Sequence, residues 1–595
     1  MINRTAFIGN GKAALVVTAW LMAGCAGASI DKMHDKKILD GLCSEYWEGH
    51  LKAHPEEATS IGDRRYDDRL TDISSGGRAA EKTRLLLLRE QIRAFPVASL
   101  SRGDRVTLAS LRDGVENGLA RASCEFETWV VDPLRGPQVG LLNLVAYHKV
   151  STPEQGQGMV SRWKAMGPYV DAHMANLRVG IDSKRVAVRV HVEKSLGQLD
   201  DLLGTPVAEW PLLKPLEEPH EDWTEEERKA FREGLTAAVQ GIVRPAFERY
   251  RKFLQEEILP VARSPERPGV MHLSGGKEAY KRMIRVHTSL DRSAEDLHKI
   301  GLEEVAKINA EMSVLGKKVF GTDDRKEIVK RLRSDLKMHF ATRDEVESKA
   351  REALARAEAA MPEWFGILPE APCVVERMPE YEEEDSTIAY YREPAADGSR
   401  PGTYMINTYL PESRPRYEAE ALAFHEAIPG HHLQIAISQE LKDVPEFRKH
   451  LGFTAFVEGW ALYTERLSDE MGLYTSDLDR LGMLSYDSWR ACRLVVDTGM
   501  HALGWTRQEA IDYMRENTAL AENNIANEVD RYITWPGQAL AYKVGQLEIF
   551  RLRADARSRL GDRFDMKWFH DRILENGAVS LKILEEELDE AINEM

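Results

Sequence analysis

The signals that most constrain the fold of this 595-residue chain are helix starts spread through its middle and end. Residues 224–227 read Thr-Glu-Glu-Glu, a capping box in which the first hydroxyl and the fourth carboxylate each bind a backbone N–H that the helix leaves unpaired. Further boxes begin at Ser293, Thr342 and Thr506, and an amphipathic segment follows each of them. Residues 79–95 show the same helical spacing of apolar side chains. The sequence therefore predicts a mainly α-helical protein.

The composition is that of a soluble globular protein, with 30% charged and 43% hydrophobic residues. The formal net charge of −17 argues against nucleic acid as a partner, because the phosphate backbone would repel the chain. The same argument applies to an anionic lipid surface. The charge does not identify a substrate.

The N-terminus has the pattern of a secretory segment. Arg4 and Lys12 precede an apolar run at 13–23, which is too short to cross a bilayer as a permanent anchor. The run ends in Leu-Met-Ala-Gly-Cys, which resembles a bacterial lipobox and predicts a lipid on Cys25 after removal of residues 1–24. Ala26 rather than Asp follows this cysteine, and by the same resemblance the protein is expected at the outer membrane, facing the periplasm. The alternative is an ordinary signal peptide with an incidental cysteine.

The mature chain shows no linker between its parts. We expect a helical N-terminal lobe over 25–365 and a catalytic lobe over 366–595, joined as one body around a cleft. Four cysteines remain after position 25, and an oxidising envelope permits a disulfide between them, with Cys43 and Cys124 as one pairing. The sequence does not choose among the pairings.

Residues 425–432 read His-Glu-Ala-Ile-Pro-Gly-His-His, which are the parts of a zinc site. Two imidazoles and a carboxylate commonly hold Zn²⁺, and a glutamate next to the first histidine acts as general base for a water molecule. We predict His425 and Glu458 as ligands and Glu426 as the base. Glu458 lies among apolar residues of a later helical segment, where a carboxylate is costly unless it is paired or bound to a metal.

The identity of the second histidine ligand depends on the helix between the two motifs. The usual motif places it four residues after the first, but here that position is Pro429, which breaks or bulges a helix. On an unbroken helix His432 would lie almost two full turns after His425. With a looped insertion at Pro429 and Gly430, His431 takes the position facing the metal instead. We predict His431 as the ligand, with His432 beside it.

The segment before this motif is the exception to the helical pattern. Prolines interrupt residues 366–412, and two runs rich in β-branched and aromatic residues, 387–391 and 403–409, flank the turn signal Asp397-Gly398. This pattern predicts a β-hairpin with a long loop. An edge strand above a metal often pairs with the backbone of a peptide substrate. The alternative is a structural hairpin that covers the core.

Beyond the His-Glu segment, two further motifs point to one family. They are Glu-Gly-Trp-Ala-Leu-Tyr-Thr-Glu from position 458 and Pro-Gly-Gln-Ala-Leu-Ala-Tyr-Lys from position 536. Together the three motifs resemble the bacterial family called domain of unknown function 885, over nearly the whole mature chain. That family is similar to the all-helical neurolysin-like zinc peptidases, including oligopeptidase F, whose motif His-Glu-Phe-Gly-His matches at Gly430-His431 with a two-residue insertion. The resemblance implies a large, all-helical, two-lobed neurolysin-like metallopeptidase fold with a small β-hairpin beside the active-site helix.

Related zinc peptidases use a tyrosine to stabilise the oxyanion, and the resemblance makes Tyr532 and Tyr542 the candidates here, without fixing which one. Each of them has a structural alternative as a core tyrosine. Arg490 and Arg493 share a helical segment with Asp497. They could bind a substrate carboxylate, but an ordinary ion pair between Arg493 and Asp497 is the interpretation we favour.

These features predict a zinc-dependent peptidase that hydrolyses short peptides in a deep cleft and is held in the envelope by lipid on Cys25. One alternative keeps the Zn²⁺ and hydrolyses a non-peptide amide or ester. Another is a lipid-anchored binding protein with a degenerate site, which the inserted Pro429 and Gly430 favour and the intact Glu426 opposes.

Overall fold

The computed structural model describes residues 13–595, except 99, 380–382, 384–386, 396–397 and 399; residues 13–32 are described by their backbone only. The chain is mainly α-helical with one small sheet, as predicted. The helices, numbered in chain order, are α1 Ala13–Ala53, α2 Pro55–Ser60, α3 Ser75–Arg93, α4 Arg102–Ala122, α5 Pro137–Gly140, α6 Pro153–Asp182, α7 Arg189–Gly204, α8 Glu225–Ala238, α9 Arg244–Phe253, α10 Gly276–Thr288, α11 Ala294–Phe320, α12 Arg325–Ser334, α13 Arg343–Trp364, α14 Ala419–Glu426, α15 His431–Gln439, α16 Glu446–His450, α17 Thr454–Glu470, α18 Asp477–Ala502, α19 Arg507–Asn517, α20 Glu522–Thr534, α21 Ala541–Leu560, α22 Met566–Leu574 and α23 Leu581–Glu594.

The four predicted helix starts are confirmed. Thr224 and Thr506 form complete capping boxes, in which each hydroxyl accepts the N–H of the residue three positions on and that residue's carboxylate accepts the threonine N–H. The hydroxyls of Ser293 and Thr342 accept backbone N–H groups in the same way, at 3.0 and 3.2 Å. Local side-chain chemistry therefore sets where α8, α11, α13 and α19 begin.

The small sheet has three strands, β1 Cys373–Arg377, β2 Ala389–Arg392 and β3 Gly402–Ile406, in the order β1-β3-β2. Strands β2 and β3 are antiparallel and form the predicted hairpin. Residue Asp397 of the predicted turn lies outside the described residues. Strand β1 was not predicted. It pairs parallel to β3, and such a pairing between distant segments leaves no local signal in the sequence.

The largest core cluster joins both halves of the chain. It holds Val106 and Trp129 together with Leu588 and Ile592, all at most 6% exposed. Within this core α17 and α21 cross so closely that a Cβ atom on Gly459 would lie 2.4 Å from the Cα atom of Gly545. The close crossing fixes the position of α17, the helix that carries Glu458. The division into two lobes stays a prediction.

The four later cysteines are buried free thiols, so the suggested disulfide between Cys43 and Cys124 is wrong. These two side chains belong to separate core clusters, and burial raises the pKa of Cys43 to about 12.

The predicted lipobox, including Cys25, falls within residues 13–32, and the side chains of these residues lie outside the described part of the structure. Over the part of the chain that is described, no helix is long and apolar enough to cross a membrane.

Candidate metal centre

The predicted break in the His-Glu helix is present. Helix α14 ends at Glu426, and α15 begins five residues later at His431. Only glycine fits at position 430, because a Cβ atom there would lie 1.9 Å from the carbonyl oxygen of His425. The indole N–H of Trp460 on α17 donates to the carbonyl oxygen of Pro429 at 2.9 Å, which ties the break to the neighbouring helix. The break thus sets the orientation of α15 relative to α14.

The break brings three predicted side chains together. His425, His431 and Glu458 each offer a ligand atom, and these atoms lie within 4.8 Å of one another. Oε2 of Glu458 is 3.7 Å from Nε2 of His425 and 3.5 Å from Nε2 of His431. The two imidazole rings are nearly perpendicular, with an interplanar angle of 86°. Among the described residues this is the one cluster of three potential metal ligands.

These distances suit a metal better than hydrogen bonds. An N–H···O hydrogen bond spans about 2.7–3.2 Å, so separations of 3.5 and 3.7 Å are too long for one. Tetrahedral ligands at about 2.0–2.2 Å from a zinc ion are roughly 3.3–3.6 Å apart. Two imidazole nitrogens and a carboxylate oxygen are also a common ligand set of catalytic zinc. These residue types and the 3.5 Å separation suit Zn²⁺, while the 3.7 Å separation lies just above this range.

A buried carboxylate lies behind the first histidine. Oε1 of Glu465 is 2.8 Å from Nδ1 of His425, and both side chains are almost fully buried. Because a carboxylate accepts, Nδ1–H donates to Glu465, and Nε2 faces Glu458, where it can bind either a proton or, once deprotonated, a metal. Glu465 had no predicted role. The available signal was its position seven residues, or two helical turns, after Glu458 on α17.

The second histidine of the cluster is His431, and His432 faces the sheet. The hydroxyl of Tyr391 on β2 donates to Nδ1 of His432 at 2.9 Å, and Nε2–H donates to the carbonyl oxygen of Ala371 at 3.1 Å. Burial lowers the pKa of His432 to about 4, so its ring is neutral. Both nitrogens of His432 are engaged away from Glu458. The geometry thus places His431, and not His432, beside Glu458, while the ligand role of His431 stays a prediction.

The electrostatics of the cluster favour added positive charge. Burial alone would raise the pKa of Glu458, but His425 and His431 hold it well below its usual range. Burial would lower the pKa of His425, but Glu458 and Glu465 raise it to about 9. The two carboxylates therefore create a site in which a proton or a cation beside the imidazoles is stabilised.

Glu426 is half-buried at the end of α14, one residue after His425. Burial, followed by the charge of Glu426, raises the pKa of Tyr404 on β3. Among the described residues no donor forms a hydrogen bond with this carboxylate. A carboxylate in this state can accept a proton from water.

The two predicted tyrosines lie in different surroundings. The hydroxyl of Tyr532 is buried, accepts from Trp489 and Arg493 at 3.1 and 2.9 Å, and donates to Glu528 at 2.6 Å. Tyr542 is half-buried, and burial followed by the charge of Glu458 raises its pKa. The structure thus brings Tyr542 near the cluster, while the hydroxyl of Tyr532 belongs to a separate network.

The predicted ion pair between Arg493 and Asp497 is not formed. Nη2 of Arg493 pairs with Glu528 at 3.0 Å, and Asp497 accepts a hydrogen bond from Tyr280 at 2.6 Å. Burial raises the pKa of Asp497 to about 7. Arg490 is also buried, 3.9 Å from Glu465. Neither arginine is open to a substrate.

A cleft of about 760 Å³ lies next to segments that carry the site. Its walls come from the first half of the chain, between Glu56 and His287, and from Thr454, Thr534, Trp535, Pro536 and Gln538 in the second half. Thr454 is one helical turn before Glu458 on α17, and Gln538 is four residues before Tyr542. The cleft is therefore lined by residues close in the chain to Glu458 and Tyr542, while the three cluster side chains are not among its lining residues.

Two solved structures share this fold. A crystal structure described as that of a "putative lipoprotein" from Colwellia psychrerythraea is 26% identical, with a TM-score of 0.88, and the match covers 94% of this chain and 100% of that chain. A structure from Shewanella oneidensis, described as a "putative lipoprotein of unknown function", is 19% identical, with a TM-score of 0.72 and coverage of 92% and 98%; this one shows the fold alone. No functionally curated protein matches the sequence. Residues 55–588 match the family described as "Bacterial protein of unknown function (DUF885)", and the chain belongs to this family.

Proposed function

We propose that the protein is a zinc-dependent hydrolase that cleaves short peptides. The observation that carries the proposal is the convergence of His425, His431 and Glu458, with separations that fit a shared metal. The carboxylate of Glu465 behind His425 supports it, because ligating histidines in metal sites usually donate their second N–H to such a partner. The resemblance of the motif to neurolysin-like zinc peptidases points to the same chemistry.

In the proposed reaction the three side chains hold the metal and the neighbouring residues move protons. When bound, zinc supplies Lewis acidity that makes a water molecule more acidic and polarises the scissile carbonyl. Glu426 accepts the proton of the attacking water and returns it to the nitrogen of the leaving amine. Tyr542, whose raised pKa keeps it protonated at neutral pH, donates a hydrogen bond to the developing oxyanion.

The dimensions of the cleft favour short substrates. Its volume of about 760 Å³ is in the range of sites that enclose small ligands. A cleft of this volume can enclose an extended peptide of a few residues but not a folded protein. We therefore propose short peptides as the substrate class.

We further propose that lipid on Cys25 anchors the protein at the outer membrane, facing the periplasm. The lipobox-like sequence Leu-Met-Ala-Gly-Cys supports this, together with Ala26 after the cysteine. Both structural relatives are described as "putative lipoprotein", which agrees with it.

The direct test combines metal analysis with a substrate screen. We expect about one zinc per mature chain, and cleavage of a short-peptide library that stops with chelator and returns when zinc is added. Bound zinc with cleavage of amide or ester substrates but not of peptides would favour the alternative hydrolase. A chain that binds no zinc and cleaves nothing would instead be a binding protein with a degenerate site.

A further inference from the structure

Arg135 places a positive charge in the cleft, beside Trp535. Its side chain is exposed, it lines the cleft, and its guanidinium carbon lies 3.3 Å from the centre of the Trp535 ring. A guanidinium stacked in this way is held in a defined orientation with its N–H edges free. This orientation suits a planar, two-oxygen ligand.

The charge of Arg135 is not neutralised by a direct partner. Among the described residues no carboxylate pairs with it and no acceptor forms a hydrogen bond with it. The charge of Asp132 acts on it, but that carboxylate is buried and accepts the backbone N–H of Leu134 at 2.8 Å. Burial by the cleft walls lowers the pKa of Arg135 to about 10, so the group stays charged at neutral pH.

Arg135 faces the segment that leads to Tyr542. Trp535, on which Arg135 stacks, and Gln538, four residues before Tyr542, line the same cleft. Thr454, one helical turn before Glu458, lines it as well. Arg490 and Arg493, the arginines considered from the sequence, are buried and held within the protein.

We propose that Arg135 binds the C-terminal carboxylate of a short peptide, so that the enzyme releases a short fragment from the free carboxyl end. This inference rests on the proposed function, because it assigns the substrate class of that same site. Guanidinium and carboxylate form two parallel charge-assisted hydrogen bonds, which fix the position of a flexible chain end. The rest of the peptide would extend along the cleft wall formed by Trp535 and Gln538, toward the helix that begins with Ala541 and Tyr542.

The test measures binding separately from cleavage. Calorimetry on the mature chain carrying Glu426→Gln compares tetra-alanine with a free carboxyl terminus, its C-terminal amide, and an amidated tetrapeptide that contains one glutamate. Arg135→Gln is expected to weaken binding of the free-carboxylate peptide by roughly 10- to 100-fold. Arg135→Gln should leave the affinity for the C-terminal amide unchanged, because the amide binds weakly to every variant. Arg135→Lys keeps the positive charge without the planar guanidinium and should lose less affinity for the free-carboxylate peptide.

Arg121→Gln is the matched control, because Arg121 lines the same cleft and its charge acts on His287 rather than on Tyr542. We expect Arg121→Gln to change the affinity for the free-carboxylate peptide by less than about threefold.

An equal loss of affinity in both variants would mean a general electrostatic effect and would overturn the proposal. Equal affinity of the free and amidated peptides would also overturn it, as would no binding of the free-carboxylate peptide. Tight binding of the glutamate-containing amide would assign Arg135 to a side-chain carboxylate instead. If the peptide binds through Arg135 and the wild-type chain with zinc never cleaves it, the proposed function fails and the binding inference stands.

Discussion

Replacing Glu465 with glutamine removes the charge behind His425 while keeping an acceptor of the same size. In the structure this carboxylate accepts from Nδ1 of His425 at 2.8 Å, and both groups are buried. A hydrogen bond to a charged group is worth about 1.5–3 kcal/mol, and a neutral one about 0.5–1.5 kcal/mol. The substitution should therefore weaken the hydrogen bond that orients His425 by about 1–1.5 kcal/mol. If this free energy is lost from metal binding, zinc affinity falls roughly tenfold.

The assay is a competition titration of zinc between the protein and a chromogenic chelator. Glu470→Gln is the matched control, because Glu470 lies on the same helix, is exposed, and pairs with Arg553 at 2.8 Å. We expect this control to bind zinc as the wild type does. Unchanged zinc affinity in Glu465→Gln, or an equal loss in both variants, would refute the idea that Glu465 supports a metal ligand.

Two further predictions concern the reaction and the anchor. Glu426→Gln should keep bound zinc and lose turnover by roughly 100-fold or more, because a general base is removed while the three ligands stay; near-normal turnover with full zinc would rule out this role. Cys25→Ala should leave the protein without lipid and move it to the soluble fraction, since the acyl chains need that thiol; persistence of the variant in the detergent phase would count against the lipobox.

The parts of the fold that the sequence predicted are those with local signals. N-cap residues at Thr224, Ser293, Thr342 and Thr506 fixed four helix starts, because a cap involves residues only three positions apart. The β2-β3 hairpin was likewise predicted from two neighbouring runs. Strand β1 was missed, since its partner lies about 30 residues away and parallel pairing carries no turn signal.

The candidate site likewise combines features with local sequence signals and features that depend on tertiary packing. Proline chemistry at Pro429 predicted the helix break, and the break brought His431 rather than His432 to Glu458. The contact of Glu465 with His425 depends on how α17 packs against α14, and its spacing from Glu458 indicates only that the two carboxylates share a helix face. The position of Arg135 was equally beyond the sequence, because it belongs to a different part of the chain and meets Trp535 only through the fold.

The surroundings of the two tyrosines could not be separated from the sequence either, since both flank the same Trp-Pro-Gly break. Packing of α18 against α20 engages the hydroxyl of Tyr532 with Arg493 and Glu528. Tyr542 begins the next helix, and its ring lies 4.3 Å from the guanidinium carbon of Arg493 while its pKa responds to Glu458. The assignment of Tyr542 as the oxyanion donor therefore comes from tertiary contacts.

The central claim is that His425, His431 and Glu458 together hold a zinc ion. The most direct measurement compares the zinc content and affinity of His431→Ala with those of His432→Ala, in folded protein of equal thermal stability. The structure predicts that His431→Ala loses its zinc, because Nε2 of His431 faces Glu458 at 3.5 Å. His432→Ala should keep its zinc, because that ring is engaged by Tyr391 and Ala371. Loss of zinc from His432→Ala alone, or no zinc in the wild type, would contradict the assignment.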